Sequence, residues 1–452
     1  MIDTDALRKK IIDLAIRGEL TEQLPTDGDV SVFMGKIGSE TPDISTVDSE
    51  DMPNMIPDNW QWRYFSDIVD FHLGKTPPRA DAIYWENGDI PWVSISDIPS
   101  DGRIKATKEM ITEKAQQDCF SKDISKAGTL IMSFKLSIGK VAILDIDAYH
   151  NEAIISIIPK YDENTTFRDY LFYILPTIAG NTKSLGAIKG NTLNKSSLSK
   201  MVIPVPPLSE QKRIVEKLDT VLAQIDIIDT LQQQYASDLS VLKNKIIDAG
   251  IRGKLTEQLP EDGDAETLYL QIQEEKAKLI KEGKIKKEKP LPEIDSDEIP
   301  FDIPKNWKWV RLGEICPGIK TGALDANQKN DNGIYPFFTC GEEVYTTLDY
   351  AFDCDAILLG GNNASGDYKM HRYTGKFNAY QRVYVISGYH ICLDYIFWIV
   401  KYWLPHLKTN SQGMTTRFIK IGQVTGMLTP LPPLAEQKRI GKKINELLQI
   451  VG

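Results

Sequence analysis

Two triplets, Glu210-Gln211-Lys212 and Glu436-Gln437-Lys438, come nearest in this chain to spelling out a reaction. An acid and a lysine two positions apart can hold a divalent metal and steady a scissile phosphate, as metal-dependent nucleases do. Both triplets follow a Pro-Pro pair at the start of an expected helix, where that spacing turns Glu and Lys to different faces. No matching acidic partner recurs upstream, so a solvated helix end, with Glu complementing the dipole, is the expected role. Gly74-Lys75-Thr76 imitates the end of a phosphate-binding loop, but Val69 stands where its first glycine belongs and Pro77 where its helix should open. No serine-hydrolase elbow, paired-histidine zinc helix, glycine-rich cofactor loop or Asn-Pro-Pro-aromatic tetrad occurs. His72, His150, His371, His390 and His406 are isolated and read as structural or surface residues. Cys119, Cys316, Cys340, Cys354 and Cys392 are scattered, without a CxxC pair, so neither a disulfide framework nor a zinc site is indicated. The expectation is a chain with no catalytic residue, cofactor or metal of its own.

Charge points to binding instead. The net charge of −10 argues against a nucleic-acid partner only if acids and bases are mixed, and they are not. From Tyr170 to Ser209 there is no Asp or Glu, while Lys183, Lys189, Lys195 and Lys200 sit among Asn, Ser, Thr and Gly. From Tyr395 to Ala435 there is again none, with Lys401, Lys408, Arg417 and Lys420 in similar company. Lys and Arg supply phosphate contacts, and amide or hydroxyl side chains reach phosphates or base edges. Charge and polarity nominate Lys75, Thr76, Arg79, Lys135, Lys140, Lys183, Lys189, Asn191 and Lys195 in the first half of the chain. In the second half they nominate Lys320, Asn362, Asn363, Lys369, Arg372, Lys408, Arg417 and Lys420.

The elements that must position these residues occur twice. Leu7–Asp29 returns as Leu242–Asp264, mostly identical, with the shared core I-R-G-x-L-T-E-Q-L. Ile56-Pro57-x-Asn59-Trp60-x-Trp62 returns as Ile303-Pro304-x-Asn306-Trp307-x-Trp309, and Asp169-Tyr170-Leu171-Phe172 as Asp394-Tyr395-Ile396-Phe397. Pro206-Pro207-Leu208-x-Glu210-Gln211-Lys212-Arg213-Ile214 returns as Pro432-Pro433-Leu434-x-Glu436-Gln437-Lys438-Arg439-Ile440. The order suggests an N-terminal helical segment (1–29), a linker (30–55), a first body (56–205) and a central long helix (206–264). A charged linker (265–302), a second body (303–431) and a C-terminal helix (432–452) would follow. Within the second linker, EEKAKLIKEGKIKKEKP reads as a solvated charged helix. The bodies share little sequence beyond their borders, and their short apolar runs between Gly- and Asn-rich turns read as α+β. Trp60, Trp62, Trp307 and Trp309 are expected in the core rather than stacked on bases.

Between Pro207 and Gly250 nothing breaks a helix. Ile214, Val221, Ile228, Tyr235, Leu242 and Ala249 form one heptad seam, and Leu218, Ile225, Gln232, Leu239 and Ile246 the other. A second copy of this helix is split between the termini, with only about nine residues, roughly 14 Å, missing if Gly452 corresponds to Asp226 and Met1 to Ala236. The terminal segments are therefore expected end to end and antiparallel on the central helix, as a pseudo-two-fold coiled coil, with Gln232 facing the gap. A coiled coil between separate chains is the alternative. The most apolar run, YIFWIVKYWLPHL, is interrupted by Lys401 and too short for a bilayer, and MIDTDALRKK lacks an apolar signal core. A cytoplasmic protein without membrane contact is expected.

The doubled P-P-L-x-E-Q, the W-x-W openings after Ile-Pro and the doubled I-R-G-x-L-T-E-Q-L resemble the DNA specificity subunit of type I restriction–modification systems along essentially the whole chain. Gly74-Lys75-Thr76-Pro77 followed by Tyr84-Trp85 and Gly88-Asp89-Ile90-Pro91-Trp92-Val93 looks like the opening of one type of target-recognition domain. Lys320-Thr321-Gly322 with Tyr335-Pro336-Phe337-Phe338 resembles another. The resemblance implies an α+β fold with two α/β target-recognition domains joined by long antiparallel helices. It implies a non-catalytic subunit that binds double-stranded DNA at a bipartite site and docks two modification subunits and restriction subunits. S-adenosylmethionine, ATP and Mg would belong to those partners. A self-sufficient methyltransferase or nuclease, and a coiled-coil adaptor without a DNA role, are the competing readings.

Overall fold

The computed structural model describes residues 1–38, 47–48, 52–135, 137–181, 193–413 and 415–452. It divides into two compact units, 1–233 and 234–452.

In the first unit α1 (Thr4–Arg17) and α2 (Ser31–Gly38) precede the body. The body runs through β1 (Gln61–Tyr64), the single turn α3 (Phe65–Ile68), β2 (Val69–Leu73), β3 (Ile90–Val93), β4 (Arg103–Ile104), β5 (Glu109–Ile111) and α4 (Glu113–Cys119). It continues with β6 (Leu130–Ser133), β7 (Val141–Leu144), β8 (Tyr149–His150), β9 (Ile154–Pro159), α5 (Thr166–Asn181), α6 (Lys195–Ser199) and β10 (Val202–Val205), and leads into α7 (Leu208–Ile251). The main sheet has the order β2-β9-β6-β7-β4, and a smaller one the order β5-β3-β8. β6 and β9 are apolar at nearly every position because both faces of the sheet are covered. Leu130, Met132, Ile155 and Ile157 join the core that includes α5, whereas Ile131, Ala142, Leu144 and Ile154 close a second core on the other side.

The second unit opens, beyond the end of α7, with α8 (Ala265–Lys281). Then come β11 (Lys308–Arg311), α9 (Leu312–Ile315), β12 (Lys320–Thr321), β13 (Tyr335–Phe338), β14 (Val344–Thr347), β15 (Phe352–Gly360), β16 (Asn362–Asn363), β17 (Met370–Ala379) and β18 (Val383–Ile386). α10 (Leu393–Thr409), β19 (Arg417–Phe418), α11 (Ile421–Thr425), β20 (Leu428–Leu431) and α12 (Leu434–Ile450) complete it. Its main sheet has the order β12-β18-β15-β17-β13-β14.

The bodies, so unlike in sequence, share one topology. In each, four antiparallel strands have the same order, β2-β9-β6-β7 in one and β12-β18-β15-β17 in the other. In each an antiparallel pair, β3-β5 or β13-β14, is joined through a parallel contact, Val93 beside His150 or Phe338 beside Ala379. In each a two-strand ribbon, β1-β10 or β11-β20, ties the start of the body to its end. Gly74 and Gly322 occupy matching places. A β-carbon on Gly74 would lie 2.0 Å from the His150 carbonyl oxygen, and one on Gly322 1.8 Å from that of Ala379, so neither position admits a side chain. That packing accounts for the glycine at both positions.

α1 lies antiparallel on the first unit's share of α7. Arg8 pairs with Asp226 and Asp229 at 2.7 and 2.6 Å, and Ile214, Leu218 and Ile225 are buried. Gln232 does not face a gap: its amide oxygen accepts from the Ile2 N–H at 2.6 Å and its NH2 donates to the Ile2 carbonyl. In the second unit α12 lies antiparallel on the end of α7, where Gly250 meets Ile440 and Ile444 and Lys243 donates to the Gly452 carbonyl.

The continuous heptad seam is corrected. Tyr235 is 63% exposed and Leu242 44%, and no residue from 233 to 242 is buried. Pairing with α1 reaches Gln232 and pairing with α12 reaches Lys243, and in the second unit burial moves to Ile247, Gly250 and Ile251. Of the run EEKAKLIKEGKIKKEKP, expected as a solvated charged helix, Leu279 is the one buried residue, and the helix ends at Lys281. Phe33, Met34 and Ile37 of α2, and Leu268, Ile272 and Leu279 of α8, are buried. Each such side chain contributes about 1.5–3 kcal/mol by leaving water. Among the described residues no helix is long and apolar enough to cross a membrane.

Candidate nucleic-acid interface

Each body is anchored by a buried carboxylate at the start of the helix that follows it. Glu210 is fully buried and accepts from Trp60 Nε1 at 2.7 Å, Gln23 Nε2 at 2.6 Å and Thr21 Oγ1 at 3.1 Å. Glu436 repeats this with Trp307 at 2.8 Å, Gln258 at 2.8 Å and Thr256 at 3.2 Å. The solvated helix end expected for both is therefore overturned, and so is a nuclease-like pairing, because Lys212 stands in solvent while its Glu neighbour is enclosed. Burial pushes the Glu210 carboxyl above the ordinary range, with the Trp60, Gln23 and Thr21 donors opposing it.

One turn further on, Arg213 forms a forked ion pair with Asp27, and Arg439 one with Asp262. Gln211 and Gln437 each donate to a proline carbonyl at 2.8 Å, from Pro206 and Pro432. Tyr170 and Tyr395 donate to the carbonyls of Pro204 and Pro430 at 2.8 and 2.7 Å. The Asn59 and Asn306 carbonyls accept from the Val30 and Ala265 N–H groups that begin the preceding segments. Sequence reasoning missed this clamp. Its signal was present, since Thr21, Gln23 and Asp27 recur as Thr256, Gln258 and Asp262.

The acid-free windows attach to the hairpin between the two central strands. In the first body the Leu193 N–H donates to the Phe134 carbonyl at 3.0 Å, at the start of the β6–β7 turn. In the second the Ile419 N–H donates to the Gly361 carbonyl at 2.8 Å, and β19 pairs with β16 at the β15–β17 turn. Two unrelated sequences thus bring a basic, acid-free segment to the same place on one frame.

In the first body Lys140 lies exposed at the hairpin, and Lys135 is half-buried with its ammonium 5.2 Å from the Phe134 ring. Lys195 is exposed at the start of α6, beside Asn194, which caps that helix by accepting from the Ser197 N–H. Thr76 donates to Glu152. Burial opposes the Glu152 charge, but the Thr76 hydroxyl, the backbone N–H of Glu152 and the charges of Lys135 and Arg79 together hold this carboxyl below its usual range. Arg79 is also paired with Glu109 and lies 4.0 and 4.7 Å from the Trp85 and Trp92 rings. Lys75 is exposed on the same loop. Lys183, Lys189 and Asn191 lie outside the described residues.

In the second body Asn362, Asn363, Lys408 and Arg417 come together, with Lys420 exposed at the start of α11. Lys369 is held by Asp367 and Glu342 at 2.7 and 2.8 Å. Arg372 is engaged by Asp355 and Asp394, which fasten β17 to β15 and α10. Lys320 is exposed on β12 at the sheet edge, apart from this group. His150 is buried, and burial pushes its imidazole down to about 4, which keeps it neutral. Among the described residues no cluster of His, Cys, Asp and Glu could hold a metal ion.

The type I restriction modification DNA specificity domain matches residues 57–235 and again 304–451, covering the first body with the first part of α7 and the second body with α12. The chain belongs to this family. It is 41% identical over 146 residues to the type I restriction enzyme EcoDI specificity subunit of Escherichia coli, a stretch covering 32% of each chain. It is 24% identical to the EcoAI specificity subunit of the same species, over 98% of this chain and 88% of that one. Among solved structures, a chain of a type I R-M system, from work on its complex assembly and conformational transition, shares the fold. Its TM-score is 0.62 at 18% identity, over 88% of this chain and 92% of that chain.

Proposed function

We propose that this chain is the sequence-specific DNA-binding specificity subunit of a type I restriction–modification complex, each body reading one half of a bipartite site in double-stranded DNA. The observation that carries this is the repeated hairpin, joined in both bodies to a segment rich in Lys, Arg, Asn, Ser and Thr and free of acids. Such side chains make phosphate contacts that fix register and base-edge contacts that choose sequence. Each clamp, built on Glu210 or Glu436, fixes a body onto the helix that follows it, so recognition sequence can vary without disturbing the scaffold.

In this reading the helical segments dock two modification subunits, which bring S-adenosylmethionine and methylate adenine, while restriction subunits bring ATP and Mg. The chain itself catalyses nothing and works in the cytoplasm. The names of the EcoDI and EcoAI relatives support this assignment, as does family membership. The test incubates the purified chain with DNA and S-adenosylmethionine, alone and with its co-expressed modification partners. DNA binding without methyl transfer by the chain alone, and adenine methylation at a split motif by the assembly, are expected. Methylation or cleavage by the isolated chain would overturn the proposal.

A further inference from the structure

The turn from Asn363 to Asp367 is built around one side chain. Asn363 Oδ1 accepts from the Ser365 N–H at 2.8 Å, the Ser365 hydroxyl at 2.7 Å and the Asp367 N–H at 3.3 Å. Gly366 completes the turn in the left-handed region, with φ 71°. Two long cationic side chains cross this glycine. A β-carbon at Gly366 would lie 3.1 Å from Lys408 Cγ and 3.3 Å from Arg417 Cδ. Lys408 comes from the end of α10 and Arg417 from β19, opposite Asn363 in the ribbon, so side chains from separate elements converge over one buried glycine. Neither cation makes an ion pair within 4 Å among the described residues, and the turn's only acid, Asp367, is held by Lys369 at 2.7 Å. Lys408 and Lys401 also favour the Asp367 carboxylate through their charge, so three lysines share the turn's one acid and Arg417 adds a further positive charge.

We propose that Lys408 and Arg417, which cross the buried Gly366, form a seat for a single backbone phosphate of the DNA, and that Asn363 is the builder of the turn, not a reader of bases. The assignment rests on the function proposed above and refines it. Lys408 and Arg417 fix the register of the second body on the duplex, while base choice falls to other side chains.

The test uses the full chain assembled with its modification subunits and a duplex carrying the motif found by mapping methylated adenines. Lys408→Gln with Arg417→Gln removes two exposed cations and leaves the turn intact. It is expected to lower the slope of log affinity against log salt by about 0.9, the value for one phosphate. A scan of neutral methylphosphonates through the second half-site is expected to find one position that weakens the native assembly and has no effect on the double variant. The methylated motif should stay unchanged. An unaltered slope, unaltered methylphosphonate sensitivity, or a relaxed motif in the second half would overturn the seat. Loss of DNA binding by the native assembly itself would instead overturn the underlying function.

Discussion

The two clamps and the two hairpins answer opposite demands. Glu210 and Glu436 hold the same three donors in the same order, and Arg213 and Arg439 the same aspartates. At the hairpins, by contrast, the Lys135 ammonium lies 5.2 Å from the Phe134 ring and its charge favours the Glu152 carboxylate, whereas Lys408 and Arg417 cross a glycine turn built by Asn363. A buried carboxylate must have all its donors or be costly, which leaves little room for variation. A solvent-facing hairpin carries no such penalty, so its residues are free to vary without unfolding the scaffold.

That contrast can be broken at several points. Glu210→Ala strands three donors in the clamp and is expected to cost its unit about 3 kcal/mol or more, measured by urea unfolding, with Glu436→Ala costing the second unit as much. A clearly smaller loss in one unit would mean that the two clamps are not energetic equivalents. Trp60→Phe and Trp307→Phe keep the ring and remove only the indole donor, for an expected loss of about 2 kcal/mol each.

The paired arginines impose a pH dependence. Hydrogen bonding to Arg213 holds Asp27 below the usual carboxylate range, and Arg439 does the same for Asp262. A carboxylate lowered on folding stabilises fully above its unfolded value of about 4, and that contribution fades as pH falls through the lower folded value. Melting curves should therefore lose stability below about pH 4, and Asp27→Asn with Asp262→Asn should flatten the decline. At the hairpins the expected effects are smaller and concern DNA alone. Lys195→Ala and Lys420→Ala should leave melting unchanged and reduce the salt slope by up to about 0.9 each. A stability loss there would place these lysines in the scaffold.

Much of this was legible in the sequence. Period, repeat and the absence of Pro and Gly announced the long helix, and the duplicated motifs announced two equivalent units. The clamp was hidden because Thr21, Gln23, Trp60 and Glu210 are far apart in the chain, and polarity alone marks Glu210 as exposed. The common topology was hidden because strand order depends on which apolar face meets which, and Ile131 and Leu358 reach the same kind of core from unrelated runs. The seam misled at Tyr235 and Leu242, since a heptad records a preference for burial but not the reach of the covering helix. Among the nominated residues charge could not separate Arg372, fastened by two aspartates, from Arg417, which is not.

The central claim is that each body reads its own half of a split site from its own hairpin. The most direct measurement is a genome-wide map of methylated adenines in cells carrying this chain and its modification partners. It would be compared with the map from cells in which residues 303–431 are replaced by the corresponding body of a relative. A motif that changes in one half and keeps the other is the predicted result. A motif unchanged, or altered in both halves, would contradict it.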